Sequence, residues 1–286
     1  MKSFGLIINL EKERSIQVAT QIIEFFKERK IEVLLPPSNA KAVGYPDLTF
    51  MEEKLPENMD CILVLGGDGT FLNTARTMAD KDIPILGINL GQLGFLTEID
   101  PEDLFEGLQK LLDGQYYIEE RMMLKASVER GGLETESFTA LNDIVVTKGA
   151  FARMIELKTY VGSQYVATYP ADGLIISSPT GSTAYSLSAG GPIVAPELEV
   201  MIFTPICPHT LHARPMIINP NECLKVTVLS KQSEVMLTVD GQHGFKLQEG
   251  DIISITKSKY TTKLVRLKDR CFYSVLREKL RDGECR

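Results

Sequence analysis

At 286 residues, with 44% apolar and 24% charged residues, the chain has the composition of a globular protein of one large or two ordinary domains. A net charge of −7 argues against a general nucleic-acid binder, and five scattered cysteines with no C-x-x-C spacing argue against a zinc ribbon, a thioredoxin-type motif or a disulfide framework. The opening run Phe4–Ile8 is too short for a signal peptide or a membrane span, and no later segment approaches about twenty consecutive apolar residues; the expectation is a soluble protein of a reducing compartment, the cytoplasm, with neither membrane nor nucleic acid as partner.

The first hundred residues alternate strand and helix signals. Phe4–Asn9 is an apolar run of the kind buried on both faces of a sheet. Ser15–Lys30 follows, with Ile16, Ala19, Ile22, Ile23 and Phe26 at helical spacing. Ile31–Leu35 reads as a second strand stopped by Pro36-Pro37, and the stretch after it, with Gly44, Pro46 and Pro56, reads as loop. Cys61–Leu65 is a third strand running straight into Gly66-Gly67-Asp68-Gly69-Thr70. Phe71–Ala79 then reads as helix, Ile83–Asn89 as strand and Asp103–Leu112 as helix with Gly114 as its stop. The repeat predicts a parallel sheet wound by helices.

Past residue 116 the period changes to two. Leu124, Ala126 and Val128 alternate with polar residues before Gly131-Gly132, and Ile155, Leu157 and Val161 do so before Gly162-Ser163. Leu224, Val226 and Val228 repeat the pattern, as do Val235, Leu237 and Val239 before Asp240-Gly241. Short alternating strands separated by turns predict an all-β, sandwich-like second domain. The expected division is an α/β domain over 1–117 and a β-rich domain over 118–286, the C-terminal tail packing back on the first.

Charge is distributed unevenly. Residues 1–115 carry 11 basic and 19 acidic side chains, whereas 257–281 carry nine basic against two acidic. That basic stretch reads either as an element packed on acidic neighbours or as a positive field that draws in phosphate.

Glycines directly after a buried parallel strand let a ligand approach the backbone, and their amides, those of Gly67 and Gly69 among them, can cradle phosphate oxygens at the carboxyl end of the sheet. A carboxylate inside such a loop repels phosphate, so Asp68 fits another role. It addresses a metal ion or accepts a hydroxyl proton, the requirement of phosphoryl transfer to an alcohol. The competing reading is a structural turn whose aspartate bonds its own backbone. No G-x-x-x-x-G-K-[ST], no G-x-G-x-x-G after the first strand and no protein-kinase set are present, which sets aside P-loop NTPases, Rossmann dehydrogenases and protein kinases.

Asn142-Asp143, between two strand signals, suits vicinal sugar hydroxyls or an Asx turn. The run Asp172–Pro192 joins a short apolar strand to small, hydroxyl-rich residues. That composition suits a nucleotide lying against the backbone, with Thr183 and Tyr185 as polar edge and stacking face. His209 and His212 lack a third ligand, so no metal site is assigned.

Taken in order, Gly66–Thr70, Asn89–Leu96, Asn142-Asp143, Asp172-Gly173 and Thr180–Pro192 resemble the NAD kinase family over most of the chain. G-G-D-G-T alone is shared with phosphofructokinases and with diacylglycerol and sphingosine kinases; its combination with Asn-Asp and the Thr180–Pro192 block is what marks the resemblance. The resemblance implies transfer of the terminal phosphate of ATP, or in some members of polyphosphate, to the 2′-hydroxyl of the adenosine ribose of NAD, with Mg²⁺ or another divalent cation accompanying the donor. It implies Asp68 as proton acceptor and Gly69 at the phosphates. Asn142 and Asp143 would hold a ribose or neighbouring groups. Thr183, Ala184, Tyr185 and Ser188 would line the nucleotide pocket, with Asp172 and Gln242 as further polar contacts. Arg153 would reach a ligand on a neighbouring subunit of a homodimer or homotetramer. Two positions depart from many relatives: Asn73 stands where a basic residue often follows the loop, and Pro170 replaces an arginine. A lipid kinase sharing the loop and a nucleotide sensor without turnover are the alternatives that the residues leave open.

Overall fold

Uninterrupted apolar runs form parallel strands, because a strand covered on both faces has no side on which to place polar residues. The computed structural model describes residues 1–50, 59–91, 94–149, 153–210, 212–230, 234–267 and 271–282. Of the residues that the sequence reading covers, Pro56, Gln92, Leu93, Cys285 and 268–270 of the basic stretch lie outside these. The chain divides into one unit of Met1–Glu120 with Thr262–Arg286 and a second of Arg121–Thr261.

In the first unit, β1 (Ser3–Ile8), β2 (Glu32–Leu34), β3 (Cys61–Gly66), β4 (Ile85–Asn89) and β5 (Thr97–Ile99) are joined by α1 (Ser15–Glu28), α2 (Pro37–Val43), α3 (Asp68–Thr77) and α4 (Leu104–Leu112). The strands pair in parallel in the order β2-β1-β3-β4, with β5 also on β4. The chain's last strand adds at β4, where Leu264 lies opposite Ile85. Phe4, Leu6, Leu63, Leu65 and Leu86 pack with Ile22 and Phe26 of α1 and Leu108 of α4 in the core. Since β1 leads by α1 to β2 on one side, and the chain then crosses to β3 on the other, the strand order reverses between β1 and β3. A crevice opens at such a reversal, at the carboxyl ends of the strands.

Two elements differ from the sequence reading. The stretch read as loop contains α2, which Pro37 starts at the position where a missing N–H costs nothing and Gly44 ends in a left-handed conformation. Helix α3 begins at Asp68 rather than Phe71, so Asp68-Gly69-Thr70 is itself the first helical turn.

The second unit is antiparallel. After β6 (Tyr116–Arg130), whose first residues belong to the first unit, come β7 (Leu133–Ala140), β8 (Asp143–Lys148), β9 (Ile155–Val161), β10 (Gln164–Ala171), β11 (Gly173–Ser177), a short helix α5 (Tyr185–Ser188), β12 (Met201–Ile206), β13 (Met216–Ile218), β14 (Leu224–Val228), β15 (Val235–Val239), β16 (His243–Leu247) and β17 (Ile252–Leu267), which returns to the first unit ahead of α6 (Phe272–Asp282). One sheet runs β13-β12-β11-β8-β15-β16. Strands β10, β9, β14 and the first part of β17 pair in that order, and β6 pairs with β7. Alternate residues from both layers (Leu157, Val226 and Ile253 facing Val146, Leu174, Phe203 and Leu237) form one apolar core, which is why the sequence period is two. The fold is thus an α/β unit with a parallel sheet and a β-rich, sandwich-like unit. No helix among the described residues is long and apolar enough to cross a membrane.

The basic stretch meets acidic neighbours. Lys257 pairs with Glu199 in the second unit, while Lys263 pairs with Asp82 and Arg266 with Glu98 and Glu119 in the first.

Candidate functional site

In the first unit the site is built at the end of β3. Asp68 is the first residue of α3, half-buried, and its carboxylate accepts the N–H groups of Phe95 (2.9 Å) and Leu96 (3.1 Å). Each carboxylate oxygen has about two acceptor positions, so one on each remains for a ligand. The loop can come this close because residue 94 is glycine: a Cβ there would collide with the Asp68 carboxylate and stand 2.8 Å from Thr97 Oγ1. A Cβ on Gly67, by contrast, would meet nothing within 4 Å. The first turn of α3 also carries the positive end of the helix dipole, which favours an anion.

Flanking residues fix the crevice. Asn9, just past β1, donates from Nδ2 to Thr70 Oγ1 at 3.2 Å, across the place where the strand order reverses. Asn89, buried at the end of β4, donates to Asp100 Oδ1 and the Gly91 carbonyl (both 3.1 Å) and accepts the Gly91 N–H, which pins the start of the loop leading to Phe95. Behind that loop, Arg266 pairs with buried Glu98 (2.8 Å) and with Glu119 (2.6 Å) and donates to the Phe95 carbonyl at 3.1 Å. Burial pulls the Arg266 guanidinium down, but the two carboxylates outweigh it and hold the group above its ordinary value.

In the second unit the backbone of 141–143 is held from both sides. The Asp240 carboxylate accepts the N–H groups of Leu141, Asn142 and Asp143 at 3.2, 2.8 and 3.1 Å. The Asn142 carbonyl accepts the Ser178 N–H (2.9 Å) and Ser177 Oγ–H (3.2 Å), and Ser178 Oγ–H bonds the Leu141 carbonyl. Asp240 sits in the β15–β16 turn at φ 50°, a conformation that a short polar side chain tolerates. This leaves the half-buried Asn142 side chain available to a ligand. Asp143, 4% exposed, has no amides on its carboxyl among the described residues; burial and the neighbouring Asp240 push it up to about 7.

The segment after β11 turns through a tight helical turn, Thr180–Thr183, into α5. Residue 181 must be glycine, because a Cβ would run into the Asn142 carbonyl. Buried Arg121 donates to Thr180 Oγ1 at 3.2 Å. Thr183 and Ala184 are half-buried, Tyr185 is 46% exposed and Ser188 is exposed. Two hydroxyls of this segment are used inside the fold. Ser182 Oγ–H donates to the Val194 carbonyl and Oγ accepts the Val194 N–H, and the Ser186 hydroxyl bonds that of Thr204 at 3.0 Å. Asp172 pairs with Lys148 at 2.8 Å, and Gln242 is exposed in the turn beside Asp240.

The N-terminal part of the chain, residues 4–116, matches the model of the ATP-NAD kinase N-terminal domain, and residues 141–267 match that of the ATP-NAD kinase C-terminal domain. An NAD kinase of Moorella thermoacetica is 52% identical over 100% of this chain and 91% of its own length. This chain belongs to the NAD kinase family. Two solved structures agree. A yeast NADH kinase complexed with NADH superposes with a TM-score of 0.88 at 25% identity, over 98% of this chain and 87% of that one. An NAD kinase from Archaeoglobus fulgidus in complex with ATP superposes with a TM-score of 0.76 at 28% identity, over 98% and 99%. The chain is accordingly an enzyme with NAD kinase activity, a phosphotransferase.

Within this NAD kinase fold, Gly67, Asp68 and Gly69 stand together in the first unit. In the second, Asn142, Asp143 and the Thr183–Ser188 segment are tied through Ser177, Ser178 and Gly181. Arg153 is exposed ahead of β9, with no hydrogen bond or ion pair among the described residues. Sequence reasoning missed Asn9, Arg121, Asp240 and Arg266. Asp240 had a signal, its place in an Asp-Gly turn, but nothing local indicates that it serves residues a hundred positions earlier.

Proposed function

We propose that the enzyme transfers the terminal phosphate of ATP to the 2′-hydroxyl of the adenosine ribose of NAD, with Asp68 as proton acceptor. The observation that carries this reading is the Asp68 carboxylate, oriented by two amides at the start of α3 with acceptor positions left over. A base needs that placement to take a hydroxyl proton as the hydroxyl oxygen attacks the terminal phosphorus and ADP leaves. Gly67 and Gly69 would admit the donor phosphates. Asn142, Asp143, Asp172, Thr183, Ala184, Tyr185, Ser188 and Gln242 would bind NAD, the half-buried Asn142 side chain and the exposed Tyr185 ring being the groups best suited to a base and its ribose. The ATP complex of the archaeal relative supports ATP as donor.

Among the described residues no group of three or more His, Cys, Asp and Glu is placed to hold a metal ion. A divalent cation accompanying the donor would neutralise charge on the transferring group. A homo-oligomer in which Arg153 reaches a neighbour's ligand completes the reading.

The test is to incubate the enzyme with γ-labelled ATP, Mg²⁺ and NAD and to locate the phosphate by phosphorus–proton NMR. Label at the adenosine 2′-oxygen is expected; label at a 3′-oxygen or on the nicotinamide ribose overturns the regiochemistry.

A further inference from the structure

We infer that Arg266, braced by Glu98 and Glu119, is a positioning residue for phosphoryl transfer, acting through the Phe95 peptide on the Asp68 carboxylate. The inference rests on the assignment of Asp68 as base. The Phe95 carbonyl accepts Arg266 at 3.1 Å, and the N–H of that same peptide group, carried by Leu96, donates to Asp68 Oδ1 at 3.1 Å; the Phe95 N–H, one peptide earlier, donates to Asp68 Oδ2 at 2.9 Å. A guanidinium pulling on the carbonyl side polarises the Phe95–Leu96 peptide and fixes its plane, and so the direction of the Leu96 N–H that holds Asp68 Oδ1.

Arg266 cannot drift, because its fork is occupied on every side. Nε bonds Glu119 at 2.6 Å and one terminal nitrogen bonds Glu98 at 2.8 Å, while Glu98 also accepts the Leu267 N–H at 2.8 Å. The Arg266 and Glu98 side chains are only 9% and 1% exposed. Burying such a group is costly, and replacing a buried ion pair by apolar residues of similar volume is often neutral or stabilising. Stability alone thus gives a weak reason for placing charges here, whereas a rigid planar donor aimed at one carbonyl is something no apolar side chain supplies. The Phe95 ring is gripped separately: its centroid lies 6.0 Å from that of Phe272 and 5.3 Å from Lys279 Nζ, both on α6. The loop that orients the base is thus clamped at its ring and at its carbonyl.

The decisive experiment is a double-mutant cycle between Arg266→Lys and Asp68→Asn, read as kcat and KM for NAD and for ATP. Lysine keeps a cation opposite Glu98 and Glu119 but gathers its donors on one nitrogen, so the planar fork that reaches both carboxylates and the Phe95 carbonyl from three separate nitrogens is lost. Arg266→Lys is expected to lower kcat about tenfold or more, the scale of a small misplacement of a catalytic group, with each KM within about twofold. In the Asp68→Asn background the same change is expected to cost nothing further, since the group it positions is already gone. An unchanged kcat in Arg266→Lys, or an equal loss in both backgrounds, overturns the inference and leaves Arg266 a structural ion pair. Near-normal turnover in Asp68→Asn alone instead removes the base and the inference with it. Should Arg266→Lys fail to fold, Glu119→Gln, which releases the half of the brace nearer solvent, is expected to show a smaller loss of kcat with the same dependence on Asp68; its absence overturns the inference equally.

Discussion

Two carboxylate sites, one in each unit, solve opposite problems. Asp68 stands half-buried at the start of α3 with two amides on it, and Asp240 is buried in a turn with three. Asp143 lies beside Asp240, as deeply buried, with none among the described residues. Amide hydrogen bonds replace the water that a carboxylate loses on burial; Asp143 has none of them among the described residues, and burial with the neighbouring Asp240 pushes it up to about 7. In the first unit the amides orient a group that remains accessible. In the second they spend a carboxylate on holding the chain, so that the neighbouring Asn142 side chain is presented.

The largest effect that would test this contrast is on catalysis. Asp68→Asn keeps the side-chain shape but removes the proton acceptor, and turnover is expected to fall by a factor on the order of 10² to 10⁴ with NAD affinity largely intact. Single-turnover kinetics and equilibrium NAD titration read the two quantities separately; near-normal turnover would return Asp68 to the class of structural turn residues.

Asp143 gives the next effect, of the opposite kind. Its unfolded value is near 3.8 and its folded value about 7, so between these pH values the folded protein holds a proton that the unfolded chain has released. Stability therefore falls as pH rises through this window and levels off above it, by on the order of 4 kcal/mol at about 1.36 kcal/mol per pKa unit. Asp143→Asn is expected to remove that fall. Urea midpoints for parent and variant from pH 5 to pH 8 should converge at the acid end and separate at the alkaline end, the variant being the more stable. Parallel midpoint curves would mean that Asp143 is charged in the fold after all.

How much of this was legible in the sequence depends on which atoms do the work. The Gly66–Thr70 segment was legible because a glycine-rich turn after an apolar strand is a local pattern, and the change of period near residue 116 marked the shift from one kind of sheet to the other. The parts that escaped act through backbone groups or over long separations. Nothing in Phe95 or Leu96 announces that their N–H groups are what matters. Asp240 reads as an ordinary turn residue until β8 and β15 pair and bring 141–143 to it. Within the hydroxyl-rich run, composition alone does not separate the hydroxyls of Ser182 and Ser186, which satisfy buried partners, from those left at the surface. A hydroxyl does not reveal its partner until the chain is folded.

Gly94 sharpens the first half of the contrast at smaller cost. A Cβ at this position would press on the Asp68 carboxylate and on Thr97 Oγ1, so Gly94→Ala must push the loop or the carboxylate aside. Turnover is expected to fall by about 10- to 100-fold, and stability by about 1–3 kcal/mol. A variant with parental kcat would show that the separation of loop and carboxylate is not what sets the rate.

Asp172→Asn should have the smallest effect on the fold and still report on the second half. The Asp172–Lys148 pair is short at 2.8 Å, but its side chains are 36% and 30% exposed, and an ion pair so wetted contributes about 0–1 kcal/mol. The backbone of Asp172 is held independently of its carboxylate: its N–H bonds the Ile206 carbonyl, and its own carbonyl accepts the Lys148 N–H and Thr147 Oγ–H. The urea midpoint of the variant is therefore expected to correspond to a stability within about 1 kcal/mol of the parent's. If the carboxylate serves NAD as proposed, KM for NAD rises severalfold while kcat at saturation stays close to parental, the pattern of a contact made equally in ground and transition states. A loss of stability well beyond about 1 kcal/mol with an unchanged KM would reverse that assignment and make Asp172, like Asp240, a carboxylate that serves the chain.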